Sequence, residues 1–169
     1  MISLSCLNSF SRDEFIRVIG SVFEHSPWIA EATWPKKPFT DLKNLHHALC
    51  ETVKNSGEEK QLVLIRAHPD LVGKIAFAGQ LAKESTNEQA SAGLNKLSPE
   101  EIELFQKQNA AYKNRFGFPF VICARLNKKA AILAGFETRL KNSREQEIKT
   151  ALEEIFKIAE LRLRDLIPN

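Results

Sequence analysis

A serine followed three residues later by glutamate or glutamine recurs along this chain, and four of these pairs carry the argument: Ser11 and Glu14, Ser85 and Glu88, Ser98 and Glu101, Ser143 and Gln146. At that spacing the serine side chain accepts from a backbone N–H of the first helical turn, and the longer side chain reaches back to the serine N–H. Each pair therefore reads as a helix start. Behind the first, Phe15, Val18, Ile19, Val22 and Phe23 share one helical face. Behind the third come Ile102, Phe105, Tyr112 and Phe116, and behind the fourth Ile148, Leu152, Ile155, Phe156, Ala159 and Leu163. The second opens a short helix through Leu94.

Further helices fill most of the remaining chain. Ser26-Pro27 reads as a cap with proline at the first helical position, and the stretch from Pro35 to Pro38 is a break. Leu42, Leu45, Leu49 and Val53 repeat at helical spacing between Asp41 and about Asn55, where Ser56-Gly57 ends the run. Glu58 to Ala67 predicts another helix, ended by Pro69, because the residue before a proline avoids the helical region. Short helices are expected from Gly73 to about Lys83 and from Lys128 to Leu140. The pattern predicts an all-α fold of about eight helices. One segment breaks it: Gly117-Phe118-Pro119-Phe120-Val121-Ile122-Cys123 is β-rich, has no second strand to pair with, and is expected to run extended near the middle of the core. With 169 residues, no repeat and no dividing linker, the chain is expected to form a single compact domain over residues 1–169.

Bulk properties narrow the function. A net charge of +3 is too small an excess to argue for nucleic acid. Cys6, Cys50 and Cys123 lie far apart, forming neither a disulfide framework nor a zinc signature, which points to a reducing cytoplasm. No run approaches the roughly 18 apolar residues a membrane helix needs. Met1 to Ser9 lacks the basic start of a signal peptide, and the final Leu166-Ile167-Pro168-Asn169 is not a peroxisomal S-K-L address. His46-His47 has no matching third ligand, so no metal is expected. Lys128-Lys129 reads as a solvated helix start, and Arg162 and Arg164 as arginines at the surface of the last helix, one of which can reach a carboxylate.

Three constellations carry chemistry. In His68-Pro69-Asp70 a histidine sits at a helix end, restrained by proline, where the helix dipole favours its protonated form. That suits a proton donor near neutral pH; a helix stop with a surface histidine is the plainer alternative. Ser85, Glu88 and Gln89 offer donors and acceptors suited to a urea-like group, or merely a capping box. The third, from Arg115 to Arg125, holds an apolar, non-helical run whose backbone N–H and C=O groups need partners. A flat polar ligand or a neighbouring loop can satisfy them.

Taken together, His68-Pro69-Asp70-Leu71, Ser85-Thr86-Asn87-Glu88-Gln89 leading into Ser91-Ala92-Gly93-Leu94, and Arg115-Phe116-Gly117-Phe118-Pro119-Phe120 closely resemble the OHCU decarboxylase family, in the family's order and over nearly the whole chain. OHCU is 2-oxo-4-hydroxy-4-carboxy-5-ureidoimidazoline. The resemblance implies an all-α homodimer that converts this small molecule to S-allantoin and CO2, without a cofactor, as the last step from urate. It also implies that His68 is catalytic, and the chemistry of losing CO2 gives Glu88 a catalytic part beside it, as an anion that repels the departing carboxylate. Pro69, Ser85, Glu88, Gln89, Phe120, Val121, Ile122, Cys123, Ala124 and Arg162 would contact substrate. Two rivals come from other classes. His-Pro-Asp between helices also resembles the J-domain of co-chaperones, although there the preceding helix is rich in lysine and arginine, whereas Gln61 to Ala67 is mainly apolar. A non-catalytic helical interaction module would leave the three motifs without a joint purpose.

Overall fold

A computed structural model describes residues 2–73 and 83–168. Every regular element among them is helical. The α-helices are α1 (Leu4–Ser9), α2 (Arg12–Ile19), α3 (Trp28–Thr33), α4 (Leu42–Lys54), α5 (Glu58–Arg66), α6 (Lys83–Ser91), α7 (Pro99–Phe116), α8 (Lys129–Arg139) and α9 (Arg144–Leu166), with 3-10 turns at Trp34–Lys36 and Ala124–Leu126. The helix expected between Gly73 and Lys83 falls on residues 74–82, outside the described residues. No helix among the described residues is long and apolar enough to cross a membrane.

Three of the serine signals work as their spacing predicts. Ser11 and Ser98 make full reciprocal boxes with Glu14 and Glu101, and Ser143 and Gln146 exchange the same pair of bonds at the start of α9. The fourth does not. Ser85 lies inside α6, because Lys83 and Glu84 ahead of it are good helix formers that carry the helix past the serine. The same helix ends at Ser91, earlier than expected. Gly93, at φ +81°, turns the chain, with Gly93 N–H donating to the Ala90 carbonyl and Leu94 N–H to the Gln89 carbonyl. That is a left-handed glycine stop closing the last carbonyls of the helix. Pro27 sits at the cap of α3 rather than one position inside it.

The chain divides into two compact units. The first holds residues 2–67 and 156–168. In it α3 packs on α2 and α4, and α4 on α5, around Leu7, Phe15, Ile29, Leu45, Leu49, Leu64 and Leu163. The second holds 68–155, with α6, α7, α8 and the first half of α9. Its core is aromatic. Tyr112 lies edge-on to Phe120 at 5.2 Å, and Phe120 stacks on Phe136 at 3.9 Å. Burial of such rings contributes about 1.5–3 kcal/mol each.

Candidate active site

All three motifs fall in the second unit. The first follows α5. Pro69 forbids further helix, and His68 to Gly73 form an irregular turn. His68 is only 8% exposed, so it is not the surface histidine of the plainer reading. Side chains hold the backbone of this turn. Gln89 Oε1 accepts from the Val72 N–H at 3.1 Å, and Gln89 Nε2 lies 3.5 Å from the Asp70 carbonyl. Asn109 Nδ2 donates to the Leu71 carbonyl at 2.7 Å, and Lys113 Nζ pairs with Asp70 Oδ2 at 2.6 Å. Val72 is driven to φ +54°, a left-handed conformation that a β-branched residue adopts at a cost of order 1–3 kcal/mol. A Cβ on Gly73 would stand 2.9 Å from Asp70 Cβ, so the turn closes only with glycine there.

The second motif rides on α6. Ser85, Glu88 and Gln89 are three and four residues apart and so share one face. Ser85 and Gln89 are buried, and Glu88 is half-buried. Gln89 joins this helix to the turn behind His68, and α6 packs against the Ala124–Leu126 turn at the end of the third motif.

The third motif leaves α7 through Gly117, at φ +78°. Phe118, Pro119, Phe120, Val121, Cys123 and Ala124 are buried, while Ile122 is half-buried. No strand pairs with this run among the described residues. Two of its backbone groups bond instead to a buried arginine and a half-buried glutamate. Arg139 Nη1 donates to the Val121 carbonyl at 2.7 Å, and Glu154 Oε2 accepts from the Cys123 N–H at 2.8 Å. Arg139 lies 4.3 Å over the Phe120 ring and pairs through Nε with Glu147 Oε2 at 2.9 Å. Glu147 also accepts from the Tyr112 hydroxyl and, at 2.8 Å, from Asn142 Nδ2. Burial pushes the Tyr112 hydroxyl well above its usual range, and its bond to Glu147 pushes the same way, so it remains a proton donor. Burial likewise raises the Cys123 thiol, as do the carboxylates of Glu154 and Glu88. Cys123 is therefore a neutral thiol at pH 7 and not a nucleophile.

Gln89 thus ties the helix that carries Ser85 and Glu88 to the turn that follows His68 and Pro69, and the same helix packs on the turn that ends the 120–124 run. Arg162 belongs to the other unit. It is 5% exposed, not an arginine reaching along the surface, and its Nη2 pairs with Glu24 Oε2 at 3.1 Å while Nη1 lies 3.4 Å from the Ser21 and Val22 carbonyls. Lys129, read as solvated, pairs with Glu101. Asn109, Lys113, Arg139, Glu147 and Glu154 support the site but are not singled out by motif. A signal for three of them exists in the sequence. Asn109 falls between Phe105 and Tyr112 on the inward stripe of α7, Arg139 follows Ile132 and Phe136 on that of α8, and Glu147 precedes Ile148 and Ala151 on that of α9. A polar residue on an apolar stripe is buried and must be bonded.

Known proteins place the chain. The family model described as OHCU decarboxylase matches residues 8–164. A 2-oxo-4-hydroxy-4-carboxy-5-ureidoimidazoline decarboxylase from Halalkalicoccus jeotgali is 39% identical over 98% of this chain and 92% of its own length. Among solved structures, a crystal structure of (S)-allantoin synthase superposes with a TM-score of 0.78 at 29% identity, covering 99% of this chain and 54% of that one. One of OHCU decarboxylase in the presence of (S)-allantoin superposes with a TM-score of 0.70 at 25% identity, over 93% of this chain and 99% of that one. The three motifs, their shared burial in one unit and these likenesses over nearly the full length agree: the chain belongs to the OHCU decarboxylase family.

Proposed function

We propose that this protein decarboxylates OHCU to S-allantoin and CO2, the last step from urate to allantoin. The observation that carries the reading is Gln89. It ties the turn bearing buried His68 to the helix bearing Ser85 and Glu88, which itself packs against the non-helical run. In this reading a histidine, a carboxylate and a set of backbone groups act together at a site with little water, where electrostatic effects are strong.

The chemistry asks little of a protein beyond orientation and one directed proton. When the bond to the carboxylate breaks, its electron pair moves into the ring, toward the adjacent C=N bond. The substrate is its own electron sink, and no cofactor is called for. The ring nitrogen that receives the pair takes up one proton from solvent, and the neighbouring hydroxyl then loses its proton as the adjacent ring carbon gains one. In this reading His68 moves those protons. Glu88 binds the ureido N–H groups and, as an anion close to the departing carboxylate, disfavours the ground state. Ser85, Gln89, Pro69 and the run from Phe120 to Ala124 fix the ring so that protonation comes from one face. Arg162 is proposed as a further substrate contact. We further propose that residues 1–169 act as one domain, and that the protein is a cytoplasmic homodimer.

Circular dichroism during incubation with freshly generated OHCU tests the proposal. The expected result is a growing signal of a single allantoin enantiomer, formed faster than in buffer. Racemic product at the buffer rate would overturn it.

A further inference from the structure

The turn from His68 to Gly73 has no regular structure of its own, and the helix beneath it supplies what it lacks. Asn109 and Lys113 stand one turn apart on α7 and grip consecutive residues: Lys113 Nζ the carboxylate of Asp70 at 2.6 Å, Asn109 Nδ2 the carbonyl of Leu71 at 2.7 Å. Of the side-chain amide bonds to this turn, that of Asn109 is the shortest, since those from Gln89 measure 3.1 and 3.5 Å. The orientation of the Asn109 amide is fixed by chemistry, because a carbonyl can only accept and the nitrogen must face it. Its other end is left without a partner: Asn109 is 4% exposed, and its Oδ1 is buried with no hydrogen bond. An orphaned buried acceptor is costly, and a leucine of similar shape would avoid it. Stability of the helix alone therefore does not account for an asparagine here, whereas holding the turn does.

We infer that Asn109 and Lys113 are positioning residues for His68, setting the angle at which its ring meets substrate through the Asp70–Leu71 backbone. The strained φ of Val72, one residue further on, is what a turn held from outside shows. The inference rests on the functional reading above, so its test includes a measurement that needs no activity. The variants are Asn109→Leu, which keeps volume and loses the donor, Lys113→Met, which changes a half-exposed side chain and leaves the core untouched, and Lys113→Arg, which keeps the charge. Steady-state kinetics with OHCU should show kcat lowered about tenfold or more in Asn109→Leu and about threefold in Lys113→Met, with KM within about twofold, because misplacing a proton donor costs rate rather than binding. Lys113→Arg should restore most of the loss. In the ligand-free proteins, NMR titration of the His68 ring, assigned by difference against His68→Asn, should give a shifted or split curve in both loss variants. A His68 titration and kcat equal to wild type would overturn the inference. So would a fall in kcat that tracks loss of folded protein alone. Should Asn109→Leu fail to fold, the Lys113 pair decides. Should the wild type not turn over OHCU, the functional reading fails, and the His68 titration still decides the positioning role.

Discussion

Glu147→Gln tests how the non-helical run is held in place. Glu147 is 0% exposed and Arg139 7% exposed, so their pair is shielded from water and salt. The carboxylate takes bonds from Arg139 Nε, the Tyr112 hydroxyl and Asn142 Nδ2. Glutamine fills the same space but offers one oxygen to three donors, and its own N–H groups must face one of them. Arg139 would keep the Val121 carbonyl and the Phe120 ring face, neither of which is a counter-charge. Breaking a buried pair from one side typically costs about 3–5 kcal/mol. For a chain of this size each kcal/mol lowers Tm by about 2–4 °C, so a drop on the order of 10 °C is expected. Thermal unfolding followed by far-ultraviolet circular dichroism measures it. The double variant Arg139→Met with Glu147→Leu should recover a good part of the loss, because an apolar pair carries no uncompensated charge. A Glu147→Gln protein melting within about 2 °C of wild type, where one kcal/mol alone moves Tm that far, would refute the network described.

Three further outcomes follow from single residues. Gly117→Ala should destabilise by about 1–2 kcal/mol in urea titration; the added Cβ meets nothing within 4 Å, so the whole cost is the left-handed backbone at φ +78°. An alkylating reagent should label one thiol, that of exposed Cys6, in the native protein, and all three in denaturant. Burial pushes the Cys50 thiol up to about 12. Its folded-state value lies above the unfolded one, so the stability it contributes is fully present below pH 9.0 and is lost as pH rises toward 12. Urea midpoints measured between pH 8 and 11 should fall, and fall less steeply in Cys50→Ala.

The helices were legible because their signals are local. Capping boxes at Ser11, Ser98 and Ser143 and the stripes behind them depend on residues three or four apart, and the structure returns them with ends shifted by little. Ser85 shows the limit: the same spacing occurs inside a helix, and only the helix-forming residues ahead of it tell the two cases apart. Phe156 and Ile102, placed on core faces by periodicity, are half-buried, since a stripe marks a side of the helix and not a depth. The motif residues were legible as chemistry, but their supports were not. Asn109 and Arg139 act on backbone far away in sequence, at Leu71 and Val121, and Glu147 on the distant Tyr112 hydroxyl. Such contacts exist only once helices pack, and periodicity exposes them solely as polar residues in apolar company. The His-Pro-Asp tripeptide, shared with co-chaperones, was settled by the rest of the chain, with the family matched over residues 8–164.

The most direct test replaces the imidazole and leaves its surroundings. His68→Asn keeps a polar group on a turn still held by Gln89, Asn109 and Lys113. Followed by circular dichroism with fresh OHCU, the variant should retain the wild-type melting curve while the enzyme-dependent formation of one allantoin enantiomer disappears. Turnover close to wild type, from a protein folded to the same degree, would contradict a proton-transfer role for His68.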